Sequence, residues 1–135
     1  YKKSNFKKIY TFHRTLGIMY ALTEQWGDSG TVTSAIFQLE NALRTRNVYN
    51  SRIARRQRLD PIAIDARLVN LLAMAYAATG KNEEAVDLQL NYLSDAVKAK
   101  DRFTSREILR EIDYAKLEGK QARQYERLRK TVGSM

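Results

Sequence analysis

At 135 residues and 44% hydrophobic, the chain can build one domain with a real core and is too short for two large ones. Its formal charge of +9 points to an anionic partner, while the absence of cysteine excludes disulfide scaffolds, thiol nucleophiles and cysteine-ligated zinc. No apolar run approaches the roughly 20 residues that span a bilayer and no signal-peptide pattern opens the chain, so a soluble chain is expected, intracellular before extracellular, with no compartment specified. Because it opens at Tyr1 and not at methionine, a segment of a longer protein is expected.

One proline and six glycines punctuate the sequence, and β-branched and aromatic residues nowhere alternate with period two over a useful length. The pattern predicts an all-α chain. A first helix is expected from about Asn5 to Trp26, with Phe6, Ile9, His13, Leu16 and Tyr20 as its buried stripe, closed by Gly27-Asp28-Ser29-Gly30. A second starts near Thr31 and buries Val32, Ala35, Ile36, Leu39, Ala42 and Leu43. It then meets "RTRNVYNSRIARRQR", residues 44–58, with six arginines and no acid.

Asp60-Pro61 predicts the start of a third helix, running to Ala78 or Thr79, since aspartate caps orphan N–H groups and proline has no N–H to lose. Gly80 suits the left-handed position that ends it. A fourth helix, Asn82 to Lys98, carries Ala85, Val86, Leu90, Leu93 and Val97 inward and sets Glu83, Glu84 and Asp87 at the positive end of its dipole. A fifth opens on the capping box Thr104-Ser105-Arg106-Glu107, buries Ile108, Leu109, Ile112 and Ala115, and breaks at Gly119. The last, Lys120 to about Val132, turns Tyr125, Leu128 and Val132 inward and gathers Lys120, Arg123, Arg127 and Lys130 on its other side.

Six helices with mostly short connections imply three antiparallel hairpins, at about 5–50, 61–98 and 104–132, in a single domain over 1–135. In "LLAMAYAATGKNEEAVDLQLNYL" (71–93), Leu72, Ala73 and Tyr76 lead to Gly80 and Ala85, and this resembles the tetratricopeptide repeat. "LGIMYALTEQWGDSGTVTSAIFQLENAL" (16–43) looks like a second copy through Leu16, Gly17, Tyr20, Ala35, Leu39 and Ala42, and the third hairpin keeps Gly119 after Ala115. The resemblance implies an α-solenoid in which small residues let paired helices approach closely and Tyr76 fills the space beside Ala85. A plain helical bundle is the alternative. The resemblance also implies that the first helix of each hairpin lines a concave groove, which places Arg14, Arg67, Asn70, Arg106 and Arg110 on a cationic surface suited to acidic peptide segments.

No serine–histidine–carboxylate set, Gly-rich phosphate loop or metal-ligand spacing is present, and His13, the sole histidine, falls on or beside an apolar stripe. A non-enzymatic protein without cofactor is expected. For the arginine-rich stretch, with Arg52, Arg55, Arg56 and Arg58 at its end, three readings stand side by side: a solvated connector, a docking surface for an acidic protein, and a nucleic-acid contact. Only one aromatic, Tyr49, lies within it, and no RNA-binding signature accompanies it. A scaffold or assembly subunit engaging acidic protein segments is the leading expectation, and an RNA- or ribonucleoprotein-associated subunit the runner-up.

Overall fold

A computed structural model describes residues 3–23 and 29–135. Among them the chain is all-α, with no strand and six helices of ten residues or more. It divides into two compact units, residues 1–63 and 64–135.

The first unit is a hairpin of α1 (Lys3–Leu22) and α2 (Ser29–Val48), followed by a π-helical turn (Tyr49–Ala54) and one last turn, α3 (Arg55–Gln57). Five of the expected α2 core residues, Val32, Ala35, Leu39, Ala42 and Leu43, are buried. On α1 the buried face is rotated from the expected one: Gly17, Ile18 and Ala21 face inward, whereas Ile9 and Tyr20 are exposed. The cause is the closeness of the two helices. A Cβ on Gly17 would lie 2.5 Å from Leu39 Cδ2 and 3.1 Å from the Leu39 backbone nitrogen, so only glycine fits at the crossing. His13 adds a polar tie, its Nδ1 donating to Gln38 Oε1 at 2.6 Å.

α1 reaches Leu22, and Thr23 turns its hydroxyl and its N–H back to the Tyr20 carbonyl. The expected end at Trp26 and the Gly27-Asp28 turn lie outside the described residues, and Ser29 and Gly30 already belong to α2.

The second unit comprises α4 (Ala66–Ala78), α5 (Asn82–Lys98), α6 (Arg102–Glu111), a 3₁₀ turn (Tyr114–Lys116) and α7 (Gly119–Gly133). α4 and α5 form the expected hairpin. Gly80 closes α4 at φ +82°, with its N–H on Ala77 and that of Lys81 on Tyr76, which satisfies two orphan carbonyls. α5 runs Asn82–Lys98 as expected, with Ala85, Val86, Leu90 and Leu93 buried. Leu90, Leu93, Ile108, Ile112, Leu128 and Val132 join α5, α6 and α7 in one core, and α7 lies more against α5 than against α6.

Three boundaries differ from the expectation. Asp60-Pro61 does not start α4; Asp65 caps it, accepting from the Leu68 N–H at 3.2 Å, while the backbone at Asp60 and Ile62 is held by side chains of the first unit. Asp101, not Thr104, caps α6, with its carboxylate 3.0 Å from the Thr104 N–H; Thr104 and Ser105 thereby fall inside the first turn and are buried. α6 stops at Glu111 instead of running to Gly119, so Ala115 sits exposed in the 3₁₀ turn.

Gly→Ala inside a helix normally stabilises by about 0.5–1 kcal/mol. Gly17→Ala should instead destabilise by about 1–3 kcal/mol in urea titrations, and less in a Leu39→Ala background, where the methyl meets fewer atoms. Lys100 occupies the left-handed region at φ 57°, closing α5 through its own N–H on Val97 and that of Asp101 on Ala96. Lys100→Gly should therefore stabilise by about 1 kcal/mol, seen as a higher urea midpoint.

Candidate partner-binding surfaces

Positive charge is concentrated in the first unit, which holds eleven Lys/Arg against four Asp/Glu; the second holds thirteen against eleven. Within the first unit the arginine-rich stretch continues the helix of α2 through a π-helical turn and on to Gln57. Tyr49 and Ala54, five residues apart, are both buried. Positions five apart diverge by about 140° in an α-helix, and the wider π-helical turn brings them nearer to one face. Tyr49 is fully buried, with its ring against Phe6 at 6.2 Å between centroids.

Beyond this turn the chain doubles back and is clamped. Arg58 adopts a left-handed conformation (φ 53°, ψ 42°), and the Leu59 N–H returns to the Ala54 carbonyl at 2.9 Å. The Asn50 side chain then binds both polar groups of Ile62: its Oδ1 accepts from the backbone N–H at 2.8 Å, and its Nδ2 donates to the carbonyl at 3.0 Å. Arg46 Nε reaches the same carbonyl at 3.0 Å, and Tyr49 Oη donates to the Asp60 carbonyl at 3.3 Å. Three side chains from two successive turns thus hold the segment that follows.

The clamp divides the six arginines. Arg46 is spent on it, and Arg44 donates to Asn41 Oδ1 at 2.7 Å. Arg52, Arg55, Arg56 and Arg58 are exposed, and among the described residues their guanidinium groups have neither a hydrogen bond nor an ion pair. They fall within seven consecutive positions, Arg52, Arg55 and Arg56 on the last helical turns and Arg58 at the reversal, beside a buried tyrosine and an asparagine that composition and helical periodicity do not single out.

The other expected partner-binding residues belong to both units. Arg14 is half-buried on α1, in the first unit; Arg67, Asn70, Arg106 and Arg110 belong to the second. Arg67 and Arg106 are exposed, whereas Arg110 is paired with Glu107 at 2.6 Å. Asn70 is half-buried, with its amide engaged within the unit. Its Nδ2 donates to the Glu107 carbonyl at 3.1 Å, and its Oδ1 accepts from Gln89 Nε2 at 3.2 Å; Gln89 also reaches the Glu111 carbonyl at the end of α6. Gln89 is the side chain the sequence reading missed: it is 5% exposed at a core position of α5, where its amide ties three helices together. On α7, Lys120, Arg123, Arg127 and Lys130 are all exposed, while Arg129 is paired with Glu126 at 2.9 Å, which raises the arginine above its ordinary pKa.

Among the described residues no group of three or more His, Cys, Asp or Glu could hold a metal ion, and no helix is long and apolar enough to cross a membrane. No family model matches the chain, and no curated protein or solved structure does either.

Asn50→Ala removes two hydrogen bonds and strands the Ile62 N–H. Such a loss costs about 1–3 kcal/mol. A lower urea midpoint with unchanged helical circular dichroism is the expected result, and an unchanged midpoint would mean that the clamp contributes nothing.

Proposed function

We propose that this protein is a non-enzymatic helical interaction module, similar to tetratricopeptide repeats, that serves a larger complex as scaffold or assembly subunit by holding acidic protein segments. The observation that carries the reading is the clamped helix end with Arg52, Arg55, Arg56 and Arg58 exposed and, among the described residues, unpaired. Arginine offers a planar fork of donors to a carboxylate, and a fixed backbone reduces the entropy lost when several forks engage together. A residue held in a sparsely populated conformation, as Arg58 is, marks a place where surrounding contacts over-determine the backbone, a feature common at binding sites.

The close approach at Gly17 and the left-handed Gly80 between paired helices support the repeat-like reading. An acidic protein is favoured over nucleic acid because sequence-tolerant RNA binding uses exposed aromatic side chains for stacking, and Tyr49, the one aromatic of the stretch, is buried with its hydroxyl engaged. Arg14, Arg67, Arg106 and Arg110 would add to the attraction for acidic segments, and Asn70 would act by positioning α6.

The test is fluorescence anisotropy with a labelled peptide of glutamate and leucine and, separately, labelled poly(U). Exposed charge pairs contribute roughly 0–1 kcal/mol each and weaken with salt, so the four arginines must act together. Replacing Arg52, Arg55, Arg56 and Arg58 with glutamine should weaken the acidic peptide by about tenfold at low salt without moving the urea midpoint. Tight binding of poly(U), lost in the same variant while the acidic peptide stays unbound, would transfer the turn to nucleic acid.

A further inference from the structure

The second unit carries a surface of the opposite character. A cavity of about 530 Å³ opens where the α4–α5 hairpin meets the connector between α6 and α7. Its floor is apolar: Ala73, Met74 and Ala77 come from α4, Ala85 and Val86 from α5. Met74 is 50% exposed, although it projects from the helix whose neighbours Leu71, Leu72, Ala73 and Ala75 are all buried. An unbranched thioether in such a place adapts to the shape of an incoming side chain.

Around this floor stand Glu83, Glu111, Asp113 and Glu118, with Lys116 and Lys120 as the cations. Lys116 is taken up by Asp113 at 3.6 Å, and the Glu111 carboxylate lies 4.0 Å from Arg110 Nε. The carboxylates of Glu83 and Glu118 have no partner among the described residues. In a chain of net charge +9, the walls of this cavity are therefore locally anionic.

The walls are also held firmly. Gln89, at the base of the cavity, bonds Asn70 and the Glu111 carbonyl, and Gln121 Nε2 ties α7 to α5 through Asp87 Oδ1 at 2.8 Å and the Glu83 carbonyl at 3.3 Å. An apolar floor with a few fixed polar groups is the general form of a ligand pocket, and the volume falls within the range such pockets occupy.

We propose that this cavity docks a protein segment bearing lysine or arginine beside an aliphatic side chain, the aliphatic group resting on Met74 and Val86 and the cation facing Glu83 and Glu118. Charge complementarity selects this occupant: the four carboxylates outnumber Lys116 and Lys120, so an acidic segment would meet the partnerless Glu83 and Glu118, and a purely polar cation would leave the apolar floor wet. The inference does not rest on the arginine turn. The molecule would thus carry an anionic docking site as well as a cationic one.

Anisotropy of the whole chain with a short labelled peptide of alternating lysine and leucine tests it, with a lysine–serine peptide of equal charge as comparison. The lysine–leucine peptide should bind more tightly than the lysine–serine one. Glu83→Gln combined with Glu118→Gln should weaken it by about fivefold, the scale of two exposed charge pairs. Met74→Lys should abolish binding, and Glu84→Gln, on α5 but outside the cavity, should leave it unchanged. Equal affinity for the two peptides, or no response to the paired glutamate variant, would overturn the proposal. Sedimentation showing self-association that the peptide disperses would overturn it differently, by making a second copy the occupant. The quadruple arginine variant should bind the lysine–leucine peptide as the parent does, which separates this result from the fate of the arginine turn.

Discussion

The side-chain amide of Asn50 pairs with the Ile62 peptide as a neighbouring β-strand would, and the C-terminal part of the first unit is organised around that pairing. Ending a long helix leaves carbonyls without partners and a chain free to leave in many directions. Here the π-helical turn sets Tyr49 inward, Arg58 reverses the chain, and Asn50 with Arg46 receives the returning backbone. Arg52, Arg55 and Arg56 are left exposed on the last helical turns and Arg58 at the reversal that follows. Their mutual repulsion opposes such crowding, and the hydrogen bonds of the clamp offset it.

Much of the fold was legible because it follows from local chemistry. α5 has the bounds that its glycine punctuation, acidic first turn and apolar spacing imply, and five of the expected α2 core positions are buried. What was not legible depends on contacts distant in sequence. On α1 apolar residues cover more than one face, so periodicity alone cannot choose between them; Leu39, met at Gly17, makes the choice. Asp60-Pro61 carries a valid start signal that loses because the Asp60 and Ile62 backbone is already bonded elsewhere, and Asp65 caps the helix instead. At α6 two capping signals lay within four residues, and the aspartate prevailed.

The candidate sites divide in the same way. That Arg52, Arg55, Arg56 and Arg58 are exposed could be anticipated from charge, but the clamp beneath them could not, since asparagine and tyrosine within a helix have many ordinary uses. Asn70 shows the reverse. Expected in a groove by resemblance, it is half-buried with its amide engaged in the Gln89 network that ties α4, α5 and α6. Among the described residues no buried side-chain nitrogen or oxygen lacks a hydrogen-bond partner. The anionic cavity had no signature in the sequence at all, because its walls come from four segments that only the fold assembles.

The central claim is that the arginine turn is a fixed surface and not a frayed helix end. Backbone ¹⁵N relaxation tests it most directly. Order parameters of about 0.85 from Arg52 through Ile62, matching those of α2, are the result this account predicts. Values below about 0.6 at Arg55, Arg56 and Arg58 would contradict it, because arginines on a freely moving segment have no pre-organised geometry with which to hold a partner.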